Sequence, residues 1–254
     1  MKSIKIYGER NTGTSYLSQL IKKNIKCKIL LSRIPFLLQK FQKLIPKNNE
    51  YFRDLYFDFD KRCLGWKHTY INDEILDQIN NYKEDLVIVT VTKNPYSWLI
   101  SMFNRPYHFN YDNINTKSFE EFLNNKWRCV KRENSPKDYI KNPIELWNMK
   151  NNSYLSLSDK TERQIIHIKY ENILADYKKV IKKIVKTGGF PYEHKKTTNI
   201  IKSAKGDNKK FSDYKEYYLN KSWKEKITKE QFDLINNHIN QSLMEKFNYK
   251  YINE

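Results

Sequence analysis

Apolar residues along the chain follow two alternating periods, which predict strands separated by helices. Residues 85–92 form an almost continuous β-branched run, typical of a central parallel strand that is buried on both faces. Residues 4–7 place apolar side chains at alternate positions and predict a first strand. Residues 64–68 and 164–170 are interpreted as two more strands.

The segments between these strands show the spacing of amphipathic helices. Pro95 lies in the first turn of one predicted helix, and Gly188 and Gly189 end another. Thr228 and Gln231 have the spacing of a capping box before a last helix. Strands that alternate with helices predict an α/β fold, in which helices flank a central parallel β-sheet as in P-loop NTPases.

The length of the chain suits one α/β core, so we predict a single domain over residues 1–254. Residues 193–215 are polar and rich in lysine, and we expect a mobile loop there.

The composition is strongly basic, because 47 Lys and Arg residues against 29 Asp and Glu residues give a net charge of +18. This excess favours an anionic partner, such as a nucleotide, an acidic glycan, nucleic acid or a membrane surface. The chain is also crowded with Lys, Asn, Ile and Tyr, which A/T-rich codons specify, so part of the charge reflects codon usage. Charge by itself therefore does not choose between these partners.

The three cysteines, Cys27, Cys63 and Cys129, are odd in number and far apart, and none belongs to a C-x-x-C motif. The sequence indicates neither a zinc site nor a disulfide framework, and no metal is expected. Reduced thiols favour a cytoplasmic location. We expect no signal peptide, since a strand begins at once, and no transmembrane segment, since no apolar run is long enough.

The candidate chemistry begins with a glycine-rich loop between the first predicted strand and a helix. The loop has the G-x-x-x-x-G-K-[ST] spacing of a Walker A motif, except that Thr14 replaces the lysine. A strand, a loop and a helix in this order direct backbone N–H groups at a phosphate. Without the lysine, ATP or GTP chemistry lacks its main cation, whereas a single phosphate can still be held. The residues of the loop are Gly8, Glu9, Arg10, Asn11, Thr12, Gly13, Thr14 and Ser15.

Three further segments follow the loop in order along the chain. Lys67 and His68 close the predicted strand at 64–68, and neighbours on a strand point to opposite faces. Lys93 ends the buried strand, and Ser101 follows eight residues later (101 − 93 = 8) on the next helix. The third segment is K-Y-E-N-I-L, which follows the strand predicted near residue 165.

The loop and these segments, taken in order, resemble the sulfotransferases that use 3′-phosphoadenosine 5′-phosphosulfate (PAPS). The resemblance runs from the first residues to about residue 190. It implies that the loop grips the 5′-phosphosulfate and that Lys93 and Ser101 bind the 3′-phosphate. It also implies that His68 accepts the proton of the acceptor, with Lys67 as the neighbouring candidate.

The chain departs from the family pattern in the loop itself. Asn11 occupies the position of the family lysine, so we expect the guanidinium of Arg10 to stabilise charge on the leaving phosphate. Lys205 and Gly206 lie in a basic stretch that resembles the late loop with which the family covers its nucleotide. The acceptor group is a hydroxyl or an amine, and the basic charge tilts the choice toward an anionic or glycan acceptor.

Two other functions stay open at this point. A P-loop kinase or NTPase with a degenerate loop would need an acidic residue at the end of a hydrophobic strand, but the best strand ends in Thr92 and Lys93. A non-catalytic basic module for nucleotides or nucleic acid would need a motif that reads RNA or DNA. None is visible, so no nucleic-acid partner is expected.

Overall fold

The computed structural model describes residues 1–42, 49–106, 116–203 and 208–252. In chain order, the strands are β1 (Ser3–Tyr7), β2 (Lys28–Ile29), β3 (Leu86–Thr92), β4 (Trp127–Arg128), β5 (Tyr139–Ile140) and β6 (Gln164–Lys169). The α-helices are α1 (Thr14–Asn24), α2 (Phe36–Gln42), α3 (Asn49–Phe59), α4 (Asp73–Asn80), α5 (Pro95–Asn104), α6 (Phe119–Asn124), α7 (Pro143–Leu155), α8 (Leu157–Lys160), α9 (Tyr170–Ala175), α10 (Tyr177–Gly188), α11 (Phe211–Leu219), α12 (Lys229–His238) and α13 (Gln241–Lys246).

Four of the strands form a parallel sheet in the order β2-β1-β3-β6, which confirms the predicted α/β class. β1 pairs with β2 on one side and with β3 on the other, so the winding of the chain reverses between them. In open α/β sheets, ligands bind at such a switch point, beyond the carboxyl ends of the strands. The loop after β1 and the turn after β3 both lie at this end of the sheet.

The β-branched run of β3 is buried on both faces, as its sequence predicts. Val87, Val89 and Val91 belong to one apolar cluster, and Leu86 and Ile88 belong to another. Alternate side chains of a strand point to opposite faces, so the two clusters are the two layers that cover the sheet. The buried position of β3 therefore determines where the neighbouring strands and loops lie.

The helix signals of the sequence are also confirmed. Pro95 is the first residue of α5, and Gly189 ends α10 with a left-handed φ of 64°. Thr228 and Gln231 form the capping box of α12. The last helical segment is split, because Ile239 is extended and a new helix, α13, begins after the cap at Asn240.

The strand predicted at 64–68 is wrong. Leu64 and Gly65 both have left-handed backbone angles, with φ values of 56° and 72°, which a strand does not allow. This segment is a turn after a short 3₁₀ helix at Lys61–Cys63. The edge strand beside β1 is instead β2, which has only two residues.

The loop predicted at 193–215 is irregular over 193–203, but its last five residues belong to α11. Its mobility stays a prediction. Among the described residues, no helix has both the length and the apolar character needed to cross a bilayer.

Candidate active site

The glycine-rich loop joins β1 to α1 and is packed closely on β3. A Cβ at Gly8 would lie 2.5 Å from the carbonyl oxygen of Val91, so the backbone can approach β3 only without a side chain. Thr12 donates from its hydroxyl to the carbonyl of Glu9 at 2.5 Å and closes the loop on itself. No side chain caps the first turn of α1, where Gly13 is the cap residue. Its N–H groups and the positive end of the helix dipole are therefore suited to an anion.

Gly13 has a second reason to be glycine. Its φ is 90°, and a Cβ there would lie 2.4 Å from the ring of Tyr170. Tyr170 begins α9, directly after β6. Glu171 follows it and accepts hydrogen bonds from the backbone N–H of Asn94 and from the Tyr249 hydroxyl, both at 2.9 Å. The segment after β6 thus positions the loop and α5.

A buried network of ion pairs holds the loop in place, and the sequence analysis did not predict it. Lys150 of α7 lies between Glu9 and Glu133, with N–O distances of 3.4 and 3.6 Å, and all three side chains are fully buried. Burial disfavours the charged lysine, but the two carboxylates outweigh it and the pKa of Lys150 is raised. Its Nζ also donates to the carbonyl of His68 at 2.5 Å. The network therefore joins the loop to the turn at 66–68, and no local motif in the sequence announces it.

Asn11 takes the position of the family lysine, and its side chain is directed at α5. Its Nδ2 donates to the carbonyl of Ser101 at 3.2 Å and to that of Arg105 at 3.4 Å. The neighbouring Arg10 lines the central cavity with its side chain, while its carbonyl accepts a 2.7 Å bond from Trp98 Nε1. Asn11 therefore joins the loop to α5, and the cation beside it belongs to Arg10.

Lys67 reaches the loop from the turn at 66–68. Its Nζ donates to the hydroxyl of Ser15 at 2.9 Å. Burial, and then the positive charges of Arg33 and Arg10, lower the pKa of Lys67 to about 7. No described carboxylate forms an ion pair with this ammonium, so its charge is poorly compensated. Such a group gains most from an incoming anion.

His68 lies beside Lys67 and also lines the cavity. The expectation that the two side chains face apart is wrong, because the segment is a turn and not a strand. Nδ1 of His68 lies 2.5 Å from the carbonyl oxygen of Gly8, which only accepts, so Nδ1 carries the hydrogen and Nε2 the lone pair. Burial, and then the charges of Lys67 and Arg10, hold the pKa of His68 well below its usual range. The imidazole is therefore neutral at physiological pH.

Lys93 and Ser101 are brought together as the sequence predicts. Lys93 Nζ donates to the Ser101 hydroxyl at 2.7 Å. The ring of Tyr218 covers the ammonium at 3.9 Å from its centroid, and the Tyr218 hydroxyl lies 3.1 Å from that of Ser101. Lys93 is fully buried, which lowers its pKa, although Glu171 opposes the shift. Neither Lys93 nor Ser101 lines the central cavity, and no motif in the sequence predicts the tyrosine that covers them.

The cavity at the carboxyl end of the sheet has a volume of about 850 Å³. Most of the predicted site residues line it: Arg10, Asn11, Gly13, Thr14, Ser15, Lys67 and His68. Gly8 and Thr12 lie behind it and shape the loop, and Lys205 and Gly206 lie outside the described residues. In the part of the chain that the structure describes, no group of three or more His, Cys, Asp or Glu side chains is arranged to hold a metal ion.

Solved structures resemble this chain over much of its length. One is mouse sulfotransferase SULT7A1 in complex with PAP, with 18% identity and a TM-score of 0.39 over 75% of this chain and 60% of that one. The chain thus spans about three fifths of the mouse protein. Another is the sulfotransferase domain of the Synechococcus PCC 7002 olefin synthase, with 14% identity and a TM-score of 0.45 over 98% and 94% of the two chains.

A comparison with curated protein sequences finds no match. The family model for the sulfotransferase domain, in contrast, matches residues 6–252. This range includes the loop after β1, the turn at 66–68 and the turn after β3, in the order expected from the motifs. The chain therefore belongs to the sulfotransferase domain family.

Proposed function

We propose that this protein transfers a sulfuryl group from PAPS to a hydroxyl or amine of an acceptor. One observation carries the proposal. The uncapped start of α1 and the ammonium of Lys67 meet at Ser15, inside a large cavity, in a chain that the sulfotransferase family model matches almost throughout. Backbone N–H groups, a helix dipole and a fixed cation together suit a phosphosulfate.

The loop from Gly8 to Ser15 holds the 5′-phosphosulfate in this proposal. When bound, PAPS supplies the sulfuryl group by in-line displacement, and PAP leaves. The first turn of α1 offers N–H groups to the phosphate, and the side chains of Arg10 and Lys67 supply positive charge. Charge that builds on the leaving phosphate is stabilised best by donors that are already fixed in place.

Lys67 takes over the task of the missing loop lysine. The amide of Asn11 is bonded to carbonyls of α5, whereas Lys67 Nζ lies 2.9 Å from the Ser15 hydroxyl on the loop. The ammonium thus comes from the turn at 66–68 instead of from the loop. A variant such as Lys67→Met should lose turnover and PAP affinity together, since the cation contacts the nucleotide side.

Lys93 and Ser101 bind the 3′-phosphate in this proposal, and Tyr218 must move its ring for a phosphate to reach the ammonium. Calorimetric titration with PAP and with 5′-AMP isolates the 3′-phosphate. Lys93→Ala should weaken PAP by about 1.5–3 kcal/mol, the range for a hydrogen bond to a charged group. It should leave 5′-AMP nearly unchanged. Equal losses for both nucleotides would remove Lys93 from the 3′-phosphate site.

His68 accepts the proton of the acceptor at Nε2, because Nδ1 is held by the carbonyl of Gly8. His68→Ala should lower turnover by roughly 10²–10⁴-fold, the usual share of general-base catalysis. PAP affinity should stay close to that of the unaltered protein. The participation of Lys205 and Gly206 in covering the nucleotide stays a prediction.

Calorimetric titration with PAP and with ATP–Mg²⁺ separates the alternative functions. A sulfotransferase binds PAP, a P-loop kinase or NTPase binds ATP with Mg²⁺, and a nucleic-acid module binds neither tightly. The turn after β3 favours the first, since β3 ends at Thr92 and is followed by Lys93 and not by a carboxylate. We therefore propose no nucleic-acid partner.

We further propose that residues 1–254 act as one domain in the cytoplasm. The three cysteines are free thiols, and Cys63 and Cys129 are buried, which fits a reducing compartment. Fractionation of the cells that produce the protein tests the location directly.

A further inference from the structure

The lining of the central cavity is one-sided in charge. Five arginines and two lysines contribute to it, and no described aspartate or glutamate does. Some of these cations, such as Arg10 and Lys67, are assigned to the donor above. The remainder has no task in the proposed function.

The cavity has two chemically different ends. Beside the loop, Tyr170 packs on Gly13, and Tyr16 stacks on Phe211 with ring centroids 5.9 Å apart. Flat aromatic faces of this kind suit a nucleotide base.

The other end is built around Trp66 and arginines. The Arg132 guanidinium lies 4.6 Å from the Trp66 ring, and Trp66 contacts His68 edge-on with centroids 4.7 Å apart. Arg53 and Arg33 line this cavity as well. The basic end therefore adjoins the imidazole that faces the acceptor.

The charges at this end are not balanced. Arg132 pairs with Asp54 at 2.7 Å and with Glu50, and Arg53 shares Glu50 at 2.9 Å. Two carboxylates thus form ion pairs with two guanidinium groups. Arg33 forms no ion pair with a described residue, and its charge is the largest of those that lower the pKa of Lys67. Arg33 is an exposed residue in the lining of the cavity, so its guanidinium is accessible to a ligand.

We infer that the acceptor carries an anionic group of its own, a carboxylate, sulfate or phosphate, beside the hydroxyl or amine that is sulfated. The anion binds Arg33, and the ring or chain that bears it packs on Trp66 and Phe57. A guanidinium matches the two oxygens of such a group with two parallel hydrogen bonds. This inference rests on the proposed function, since it assigns the acceptor of the same site.

Binding measurements with matched probes test the inference on the full chain. Phenyl β-D-glucuronide is compared with phenyl β-D-glucoside, and hydroxybenzoate with hydroxybenzamide, by calorimetry with and without saturating PAP. The first pair tests an anion that is carried on a sugar, and the second pair tests an anion that is carried on a phenol. The charged member of at least one pair should bind about tenfold more tightly, the lower end for a hydrogen bond to a charged group. Equal binding within both pairs, or binding by neither charged probe, overturns the inference.

The variant Arg33→Gln should remove that preference and leave the neutral member within about twofold. Arg62→Gln is the control, because Arg62 is a highly exposed arginine paired with Asp60 outside the cavity. If Arg33→Gln binds neither the charged nor the neutral probe of a pair, the inference is also overturned. The same holds if Arg62→Gln loses the preference for the charged probe. A protein that prefers the charged probes but binds no PAP would contradict the proposed function alone.

Discussion

Replacement of Lys67 by methionine should make the protein more stable and its nucleotide binding weaker. Lys67 is only 9% exposed, and burial, followed by the charges of Arg33 and Arg10, lowers its pKa from 10.5 to about 7. That difference corresponds to about 5 kcal/mol of penalty on the charged form. Methionine keeps the length of the side chain but loses the bond to Ser15. Since hydrophobic replacement of a buried ion often stabilises, we expect a net gain of about 1–3 kcal/mol at pH 7.

The pH dependence of the stability is a second test of the sign of this expected change. Between the folded pKa of about 7 and the unfolded value of 10.5, the unfolded chain holds a proton at Lys67 that the folded chain lacks. The stability of the unaltered protein therefore rises with pH through this window. The advantage of Lys67→Met should be largest below pH 7 and shrink toward pH 10.5. Urea unfolding at several pH values measures it.

The same lysine should couple nucleotide binding to a proton. A phosphate beside the ammonium raises its pKa, so the unaltered protein should take up a proton when PAP binds at pH 8. Calorimetry in buffers with different ionisation enthalpies counts that proton, which should be absent from Lys67→Met.

Lys5 is the control, because it is also buried but has backbone partners. Its Nζ donates to the carbonyls of Cys63 and Gly65, both at 2.5 Å. Lys5→Met should therefore destabilise the fold, since these buried carbonyls lose their donor. A Lys67→Met protein that is less stable than the unaltered protein at pH 7, or that still takes up the proton, would refute the reasoning.

Two other substitutions and a pH–rate profile test separate parts of the site. Gly13→Ala should destabilise by roughly 1–3 kcal/mol more than Gly189→Ala. Both positions have left-handed φ, but only at Gly13 does the new Cβ meet a ring, that of Tyr170 at 2.4 Å; equal losses in thermal unfolding would show that the ring yields freely. Lys150→Met should cost about 3–5 kcal/mol in denaturant titrations, because it leaves two buried carboxylates without their cation; a neutral effect would mean that they are protonated. For His68, whose pKa is held well below its usual range, the pH–rate profile should show no limb that rises with pH near 6.5, and such a rise would contradict the buried neutral imidazole.

Features that depend on local pattern could be predicted from the sequence. The β-branched run of β3 is buried on both faces whatever surrounds it, and the proline at the start of α5 and the glycine after α10 act within one turn. The same holds for the loop after β1, because a strand, two glycines at fixed spacing and a helix already define it. The pairing of Lys93 with Ser101 follows from a short offset that joins the turn after β3 to α5.

The sequence did not determine the features that depend on distant contacts. The turn that brings Lys67 and His68 to one face follows from left-handed angles at Leu64 and Gly65, and a leucine does not announce such an angle. Glu9 and Lys150 are 141 residues apart (150 − 9 = 141), and Tyr218 reaches Ser101 from 117 residues away. The identity of a side chain does not indicate its partner when only the packing of the core brings the two within 4 Å. The tertiary structure therefore decided which cations face the cavity, which of them are neutralised and which are covered.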